Sequence, residues 1–429
     1  MSENLGNTEF GNIQEKVKQR PLNRKKLLRR TIITASMAVI FGVLACITFL
    51  VLEPVFSNIL HPEEEPDLVQ IPMDTDEILP EDMIMEEDQI KESPVQIIEH
   101  TTDVDPISVY RDQYTDLNRV AGAVEKSIVK VTSVSQDTDW FDNFYESKNS
   151  TPGLYITNNN KELLILCRTD VIEKAEVINV TLNDKTVVEG YIKASDSNTG
   201  LSVVAVSMDG LAQSTTDNMI PASLANSRVS TILATPIIAV GRPYGSSESV
   251  GYGILTGKGS YINLTDQNYE LLTTDIYGSS EATGVIVNLK GEILGIIDQS
   301  HNPTDMKNII SAIGISDIKR TIERMSNGKA RAYLGINGTD VTEEINSSSG
   351  VPKGAFVTGI VMDSPAMNAG IQSGDVIIRI EDEQIEKYSD FTDYMENAIP
   401  DTIVSLSLMR QSGEEYREME LEVILEEMP

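Results

Sequence analysis

Short apolar runs bounded by turn residues recur from Tyr110 to about Asp298, and they constrain the fold more than any other feature of the chain. Ser127-Ile128-Val129-Lys130-Val131-Thr132 is one such run. Ile178, Val180 and Leu182 alternate with Asn179 and Thr181, the period of two that buries one face of a strand. Val187 to Ile192, Leu201 to Val206 and Thr231 to Val240 follow. Val285-Ile286-Val287 and Ile293-Leu294-Gly295-Ile296 then flank Lys290-Gly291 as a hairpin. Many short strands over about 190 residues predict an antiparallel barrel or sandwich and argue against a parallel sheet with crossover helices. One helix is expected after them, Ser316 to Met325, with Ile318, Ile322 and Met325 on a helical stripe.

The C-terminal part has a different grammar. Ser364-Pro365-Ala366-Met367-Asn368-Ala369-Gly370 predicts a short helix with Ser as N-cap, Pro at the first helical position and Gly as the stop. Gly374-Asp375 turns the chain into a strand, Val376 to Ile380. A helix from Tyr388 to Ala398 precedes a strand pair, Val404 to Met409 and Met419 to Leu425, around Gln411-Ser412-Gly413. This small α+β module is set off by Asn327-Gly328-Lys329.

Charge divides the rest. With 34 Lys+Arg against 66 Asp+Glu, the net charge of −32 argues against a nucleic-acid partner, because such binding rests on phosphate neutralisation. Residues 1–30 carry a net +5 and end in Arg24-Lys25-Lys26 and Arg29-Arg30. The uncharged run from Thr31 to Leu52 would span about 33 Å as a helix, enough for a bilayer core. Basic residues before it predict a cytoplasmic N-terminus and an outward-facing remainder. A cleaved signal peptide would have a shorter apolar region followed by small residues, whereas Glu53-Pro54-Val55-Phe56 follows here. Residues 53–108, with a net −15 between 61 and 105, predict an extended acidic linker. Asp74, Asp76, Glu77, Glu81 and Asp82 lack the spacing of a calcium loop. The expected organisation is a basic tail (1–30), a transmembrane helix (31–52), a linker (53–108), a β-rich domain (109–327) and the α+β module (328–429).

Few residues are available for chemistry. The two cysteines, Cys46 in the apolar span and Cys167 in a strand, exclude a disulfide scaffold and read as small apolar residues. Phosphate-loop, His-Glu-x-x-His and Cys-x-x-Cys patterns are absent, so neither cofactor nor metal is expected. The three histidines, His61, His100 and His301, fall in the linker and beyond the expected last strand of the β domain. Trp140, Phe141, Phe144 and Tyr145 form an aromatic patch in an acidic loop, read as local packing or a partner-binding loop.

The chain resembles the HtrA/DegP family of trypsin-like serine proteases with a C-terminal PDZ domain, over about 320 residues. The resemblance rests on Tyr333-Leu334-Gly335-Ile336, Gly354-Ala355-Phe356-Val357 and Asp363-Ser364-Pro365-Ala366 through Ala369-Gly370 to Gly374-Asp375-Val376-Ile377. Ala239-Val240-Gly241-Arg242-Pro243-Tyr244-Gly245 and Val287-Asn288-Leu289-Lys290-Gly291-Glu292 carry it in the β region. It implies a trypsin-like double β-barrel, mainly β, followed by a PDZ domain and held outside a bacterial cell membrane. It also implies trimers; a mixed assembly with an active relative is the alternative, one that would reconcile an intact fold with lost chemistry.

The catalytic positions depart from the family. A triad needs a hydroxyl, an imidazole and an orienting carboxylate. Where the family has Thr-Asn-x-His-Val, this chain reads Arg168-Thr169-Asp170-Val171, which places Asp170 at the histidine. Asn198-Thr199-Gly200-Leu201 places Gly200 at the carboxylate. The nucleophile aligns with Ala282 when anchored on Val287-Asn288, or with Thr283 when anchored on Thr274-Asp275, and Glu281 sits beside it. Losing the Ser or His of such a triad costs ~10⁶ in turnover. The expectation is a pseudoprotease whose PDZ domain binds exposed C-termini or unfolded segments in protein quality control. The alternative is an endopeptidase with a rearranged site, using Thr283. Resemblance places the peptide groove at Tyr333, Leu334, Gly335 and Ile336, completed by Phe391, Tyr394 and Met395, where backbone amides capture a terminal carboxylate.

Overall fold

Strands β3 (Glu162–Arg168) and β6 (Leu201–Ser207) show how the fold is held: both of their faces are buried. Leu164, Leu166, Val203 and Ala205 face one core, while Leu163, Ile165, Val204 and Val206 face another. The second core is the interior of a closed barrel in the order β1-β2-β3-β6-β5-β4, completed by β1 (Ile128–Thr138), β2 (Phe144–Asn158), β4 (Val177–Thr181) and β5 (Val187–Asp196). The first core lies between this barrel and a second one. Strands β7 (Pro236–Arg242), β8 (Ser249–Leu264), β9 (Gln267–Tyr277), β10 (Thr283–Val287), β11 (Ile293–Ile297) and β12 (Ile309–Gly314) close in the order β10-β11-β12-β9-β8-β7. Ile238, Val240, Val285 and Val287 of the second barrel meet the first across that shared core, and Ile237, Ala239 and Ile286 fill the second interior. Burial of both strand faces gives continuous apolar runs where a half-solvated strand would alternate.

A computed structural model describes residues 33–46, 48–49, 66–74, 105–138, 144–245, 247–413 and 415–428. The expected tail, most of the linker, His61, His100, Trp140 and Phe141 lie outside the described residues. Residues 33–46 and 48–49 are helical, while 31–32, 47 and 50–52 of the expected span are not described. Among the described residues no helix is long and apolar enough to cross a membrane.

Three sequence expectations need correction. The helix α1 (Pro106–Val124) precedes the barrels, capped by Asp105, whose carboxylate accepts from the Ile107 amide at 3.1 Å. It was not foreseen, because only Ala121 and Val124 of its residues are buried. The run from Thr231 becomes a strand only at Pro236; Ser230–Ile232 is a single 3₁₀ turn. His301 does not lie beyond the second barrel but in the loop between β11 and β12. In addition, residues 66–74, inside the stretch read as linker, pack in extended form against a helix of the β domain. Asn327 donates to the Val69 carbonyl and accepts from its amide, both at 2.9 Å, and Lys319 Nζ meets Asp74 at 2.6 Å.

The expected helix at 316–325 is α4 (Ile315–Ser326), following the short helices α2 (Thr169–Ile172) and α3 (Gln213–Asp217). Beyond it, β13 (Ala332–Tyr333) pairs with β20 (Glu426–Glu427). The larger PDZ sheet runs β14 (Ile336–Asp340), β15 (Ala355–Ile360), β16 (Val376–Ile380), β18 (Ile403–Ser412), β19 (Glu415–Ile424), with β17 (Glu383–Gln384) on β16. Helices α5 (Glu343–Ser349), α6 (Pro365–Ala369) and α7 (Tyr388–Asn397) complete it. At α6 the cap signals work as expected: Ser364 Oγ accepts from the Met367 amide at 3.2 Å, and Gly370 stops the helix at φ +83°.

Two arginines and two acids tie barrel to PDZ. Arg324 on α4 lies 2.7 Å from Glu396 on α7 and 3.5 Å from Asp196 at the end of β5. Arg331, in the connection between α4 and β13, lies 3.3 Å from Asp196 and 3.7 Å from Glu396. Burial pulls the Arg331 guanidinium down, and the fields of Tyr269, Glu396, Asp196 and Asp266 together outweigh it and push its pKa up.

Candidate functional site

The three segments that the sequence aligns with a triad meet at the junction of the barrels. Strand β3 delivers Asp170 on α2, and the turn entering β6 delivers Gly200; the two are tied by the Thr169 amide donating to the Gly200 carbonyl at 2.9 Å. Asp170 is clasped by Arg168 through Nε at 3.1 Å and Nη2 at 2.8 Å. That two-pronged bond holds its carboxyl below the usual carboxylate range. An ionised carboxylate already paired to a guanidinium is a poor proton acceptor for a hydroxyl.

At the expected nucleophile position the strand register places the two candidate residues, Ala282 and Thr283. Thr283 opens β10 opposite Arg242, and Gly284 lies opposite Gly241. Gly284 has φ +124°, and a Cβ there would meet the Val240 carbonyl at 2.2 Å, so this close strand contact requires glycine. Ala282, directly before β10, is 1% exposed and packs in the second barrel's interior. Its amide donates to the Ser279 carbonyl at 3.1 Å, and the Glu281 amide donates to Ser279 Oγ at 3.1 Å. In a serine protease the amide of the nucleophilic residue helps to hold the oxyanion. Here that donor is used within the turn.

Thr283 is half-buried and lines a narrow crevice with Cys167, Arg168 and Leu201. A wider cavity of about 250 Å³ is lined by Arg168, Gly200, Asp298, Ser300 and His301. His301, placed by sequence reading away from any site, therefore opens onto the inter-barrel cleft. Its Nε2 lies 3.6 Å from Asp298, which also stands 3.9 Å from Arg168. Ser300 Oγ donates to Asp298 at 2.7 Å rather than to His301, so the cluster supplies an imidazole and a carboxylate without an activated hydroxyl. Cys167 is buried, and burial pushes its thiol up to about 12, which leaves no thiolate at neutral pH. Among the described residues no group of acids, histidines and cysteines could hold a metal ion.

The PDZ residues are placed together, and they are closed. Tyr333, Leu334, Ile336, Phe391 and Met395 are all buried, and the last four belong to one core with Val357 and Leu406. Gly335 has φ +90°, and a Cβ on it would stand 2.2 Å from the Ser364 Cβ. This left-handed residue turns the amides of Leu334, Gly335 and Ile336 toward one point. That point holds the carboxylate of Asp266, at the tip of the β8–β9 hairpin of the second barrel. Asp266 accepts from Leu334 at 2.7 Å, from Gly335 at 2.8 Å and from Ile336 at 2.9 Å. Burial raises its carboxyl pKa, while those amides and Arg331 pull against it.

Comparisons with known proteins agree with this architecture. Residues 152–296 match a family described as a trypsin-like peptidase domain, and residues 332–423 match a PDZ domain. The serine endoprotease DegS of Escherichia coli (strain K12) is 26% identical over 274 residues, covering 62% of this chain and 74% of DegS. The serine protease Do-like HtrA of Bacillus subtilis (strain 168) is 26% identical over 295 residues, covering 64% and 63%. The structure of the HtrA-type protease AlgW with a decapeptide superposes with a TM-score of 0.52 at 18% identity, over 73% of this chain and 98% of AlgW. Two closed barrels followed by a PDZ domain define the class: a trypsin-like peptidase fold carrying a PDZ module. Within that class the chain is similar to proteins of the HtrA/DegP type.

Proposed function

We propose that the chain is a membrane-anchored, non-cleaving HtrA-type protein, whose PDZ domain captures exposed peptide C-termini or unfolded segments in extracytoplasmic quality control. The observation that carries the inactivity is the fate of the triad positions. Asp170 is bound to Arg168, Gly200 has no side chain, and the amide of Ala282 is satisfied inside its own turn. Peptide capture by backbone amides needs none of these groups, so it outlasts their loss. The charge step around residues 31–52 supports the anchor and an N-terminus on the cytoplasmic face of a bacterial membrane. The setting we propose is an oligomer, either a homotrimer or a mixed assembly with an active relative.

A fluorophosphonate probe on the full chain tests the reading. No labelling is expected; labelling that disappears in Thr283→Ala would establish a rearranged serine- or threonine-type endopeptidase instead. That second reading draws on one observation, the His301–Asp298 pair in the same inter-barrel cleft as Gly200.

A further inference from the structure

Asp266 occupies a position that its local backbone does not favour. It has φ +59° at the second residue of the two-residue turn between Leu264 and Gln267, where glycine or asparagine is the usual occupant. Its side chain is fully buried, an environment that a carboxylate enters only when its oxygens are well supplied with donors. The donors are the three loop amides of the PDZ domain. The same residue's own amide donates to the Ile336 carbonyl at 2.7 Å, and Asn268 Nδ2 donates to the Gly338 carbonyl at 3.1 Å. Both carbonyls lie on β14, which pairs with β15 on one side only and is therefore the open edge of the PDZ sheet.

A single residue thus supplies a carboxylate to the amide loop and an N–H to the adjacent edge strand. Those are the two things that the last residue of an extended peptide would offer at the same place. We propose that the β8–β9 hairpin is a resident ligand of the PDZ groove, with the Asp266 carboxylate standing in for a peptide's terminal carboxylate. A peptide captured by the groove must displace it. This inference rests on the peptide-binding reading above and adds its regulation: the domain is held closed by its own protease-like neighbour, and capture of a free C-terminus releases the hairpin from the PDZ edge.

The occupancy lowers apparent affinity, because a peptide binds only the fraction of molecules whose groove is free. The hairpin is in the same chain and competes at a high effective concentration. Removing its carboxylate should therefore tighten peptide binding without creating any new contact to the peptide.

The test uses the full chain and a panel of fluorescent peptides with hydrophobic last residues, each made with a free and an amidated C-terminus. Asp266→Gly keeps the left-handed turn and removes the carboxylate; Asp266→Asn keeps the shape and removes the charge. Hydrogen exchange at the amides of 334–336 verifies that the loop is folded and newly exposed in each variant. The expected result is at least tenfold tighter binding of free-carboxylate peptides to both variants than to wild type, with no gain for the amidated set. Equal binding by wild type and variants would overturn the resident-ligand proposal and leave peptide capture standing. No binding by any form, with faster exchange at 334–336 in the variants, would overturn both.

Discussion

Removing Glu396 should show how firmly the PDZ domain is fixed to the barrels. Its side chain is 5% exposed and takes Arg324 at 2.7 Å, Thr321 Oγ1 at 3.3 Å and Arg331 at 3.7 Å. The four-group cluster of Asp196, Arg324, Arg331 and Glu396 is electrically neutral, and its members are between 2% and 10% exposed. Glu396→Ala leaves two guanidinium groups, 10% and 3% exposed, against one carboxylate, with the surplus charge largely shielded from water. Breaking a buried pair from one side costs ~3–5 kcal/mol, whereas an exposed pair is worth ~0–1 kcal/mol. The double variant Arg331→Met/Glu396→Met restores neutrality, leaving Asp196 with Arg324, and should lose less than Glu396→Ala alone despite removing more charge. Urea unfolding followed by far-ultraviolet circular dichroism gives both values. A loss below ~1 kcal/mol for Glu396→Ala, or a double variant that is the less stable of the two, would refute the reasoning.

Further outcomes follow from particular contacts. Gly335→Ala should destabilise the chain by several kcal/mol, of order 3, because left-handed backbone and a Cβ 2.2 Å from Ser364 cannot both be accommodated; a change under ~0.5 kcal/mol in urea unfolding would count against the loop geometry. Glu270 is raised above the ordinary glutamate value by burial first and by Asp317 next, against Lys258. A raised folded-state value means that its contribution to stability is complete below about pH 4 and is lost as the pH climbs through the shifted value. Glu270→Gln should therefore gain on wild type between pH 4 and pH 7, read as a growing difference in urea midpoints; a shrinking difference would reverse the sign. Ala282→Ser should acquire no reactivity toward a fluorophosphonate, since its amide, which an oxyanion would need, is spent on Ser279.

Local chemistry made some of this molecule readable in advance. The α6 helix is written in Ser364, Pro365 and Gly370, each of which acts on its own backbone, and β4 shows its buried face as a period of two. Strands β3 and β6 gave only apolar runs, because both of their faces are covered. Helix α1 carried a legible start in Asp105-Pro106, but its exposed Ile107, Tyr110 and Tyr114 conceal the direction of the core. The departures from the family's triad motifs could be read because each motif is short. The position of His301 could not, since it depends on which strands close the second barrel. Asp266 was beyond sequence reading altogether: nothing in Leu264-Thr265-Asp266-Gln267 indicates that its carboxylate will meet amides about 70 residues further on.

The central claim is that this protease fold does not cut. The most direct measurement is to incubate the full chain with an excess of an unfolded protein substrate and follow intact masses over hours. Binding to the substrate with every mass unchanged is the predicted result. New fragments that accumulate with time, and vanish when Thr283 is replaced by Ala, would contradict it.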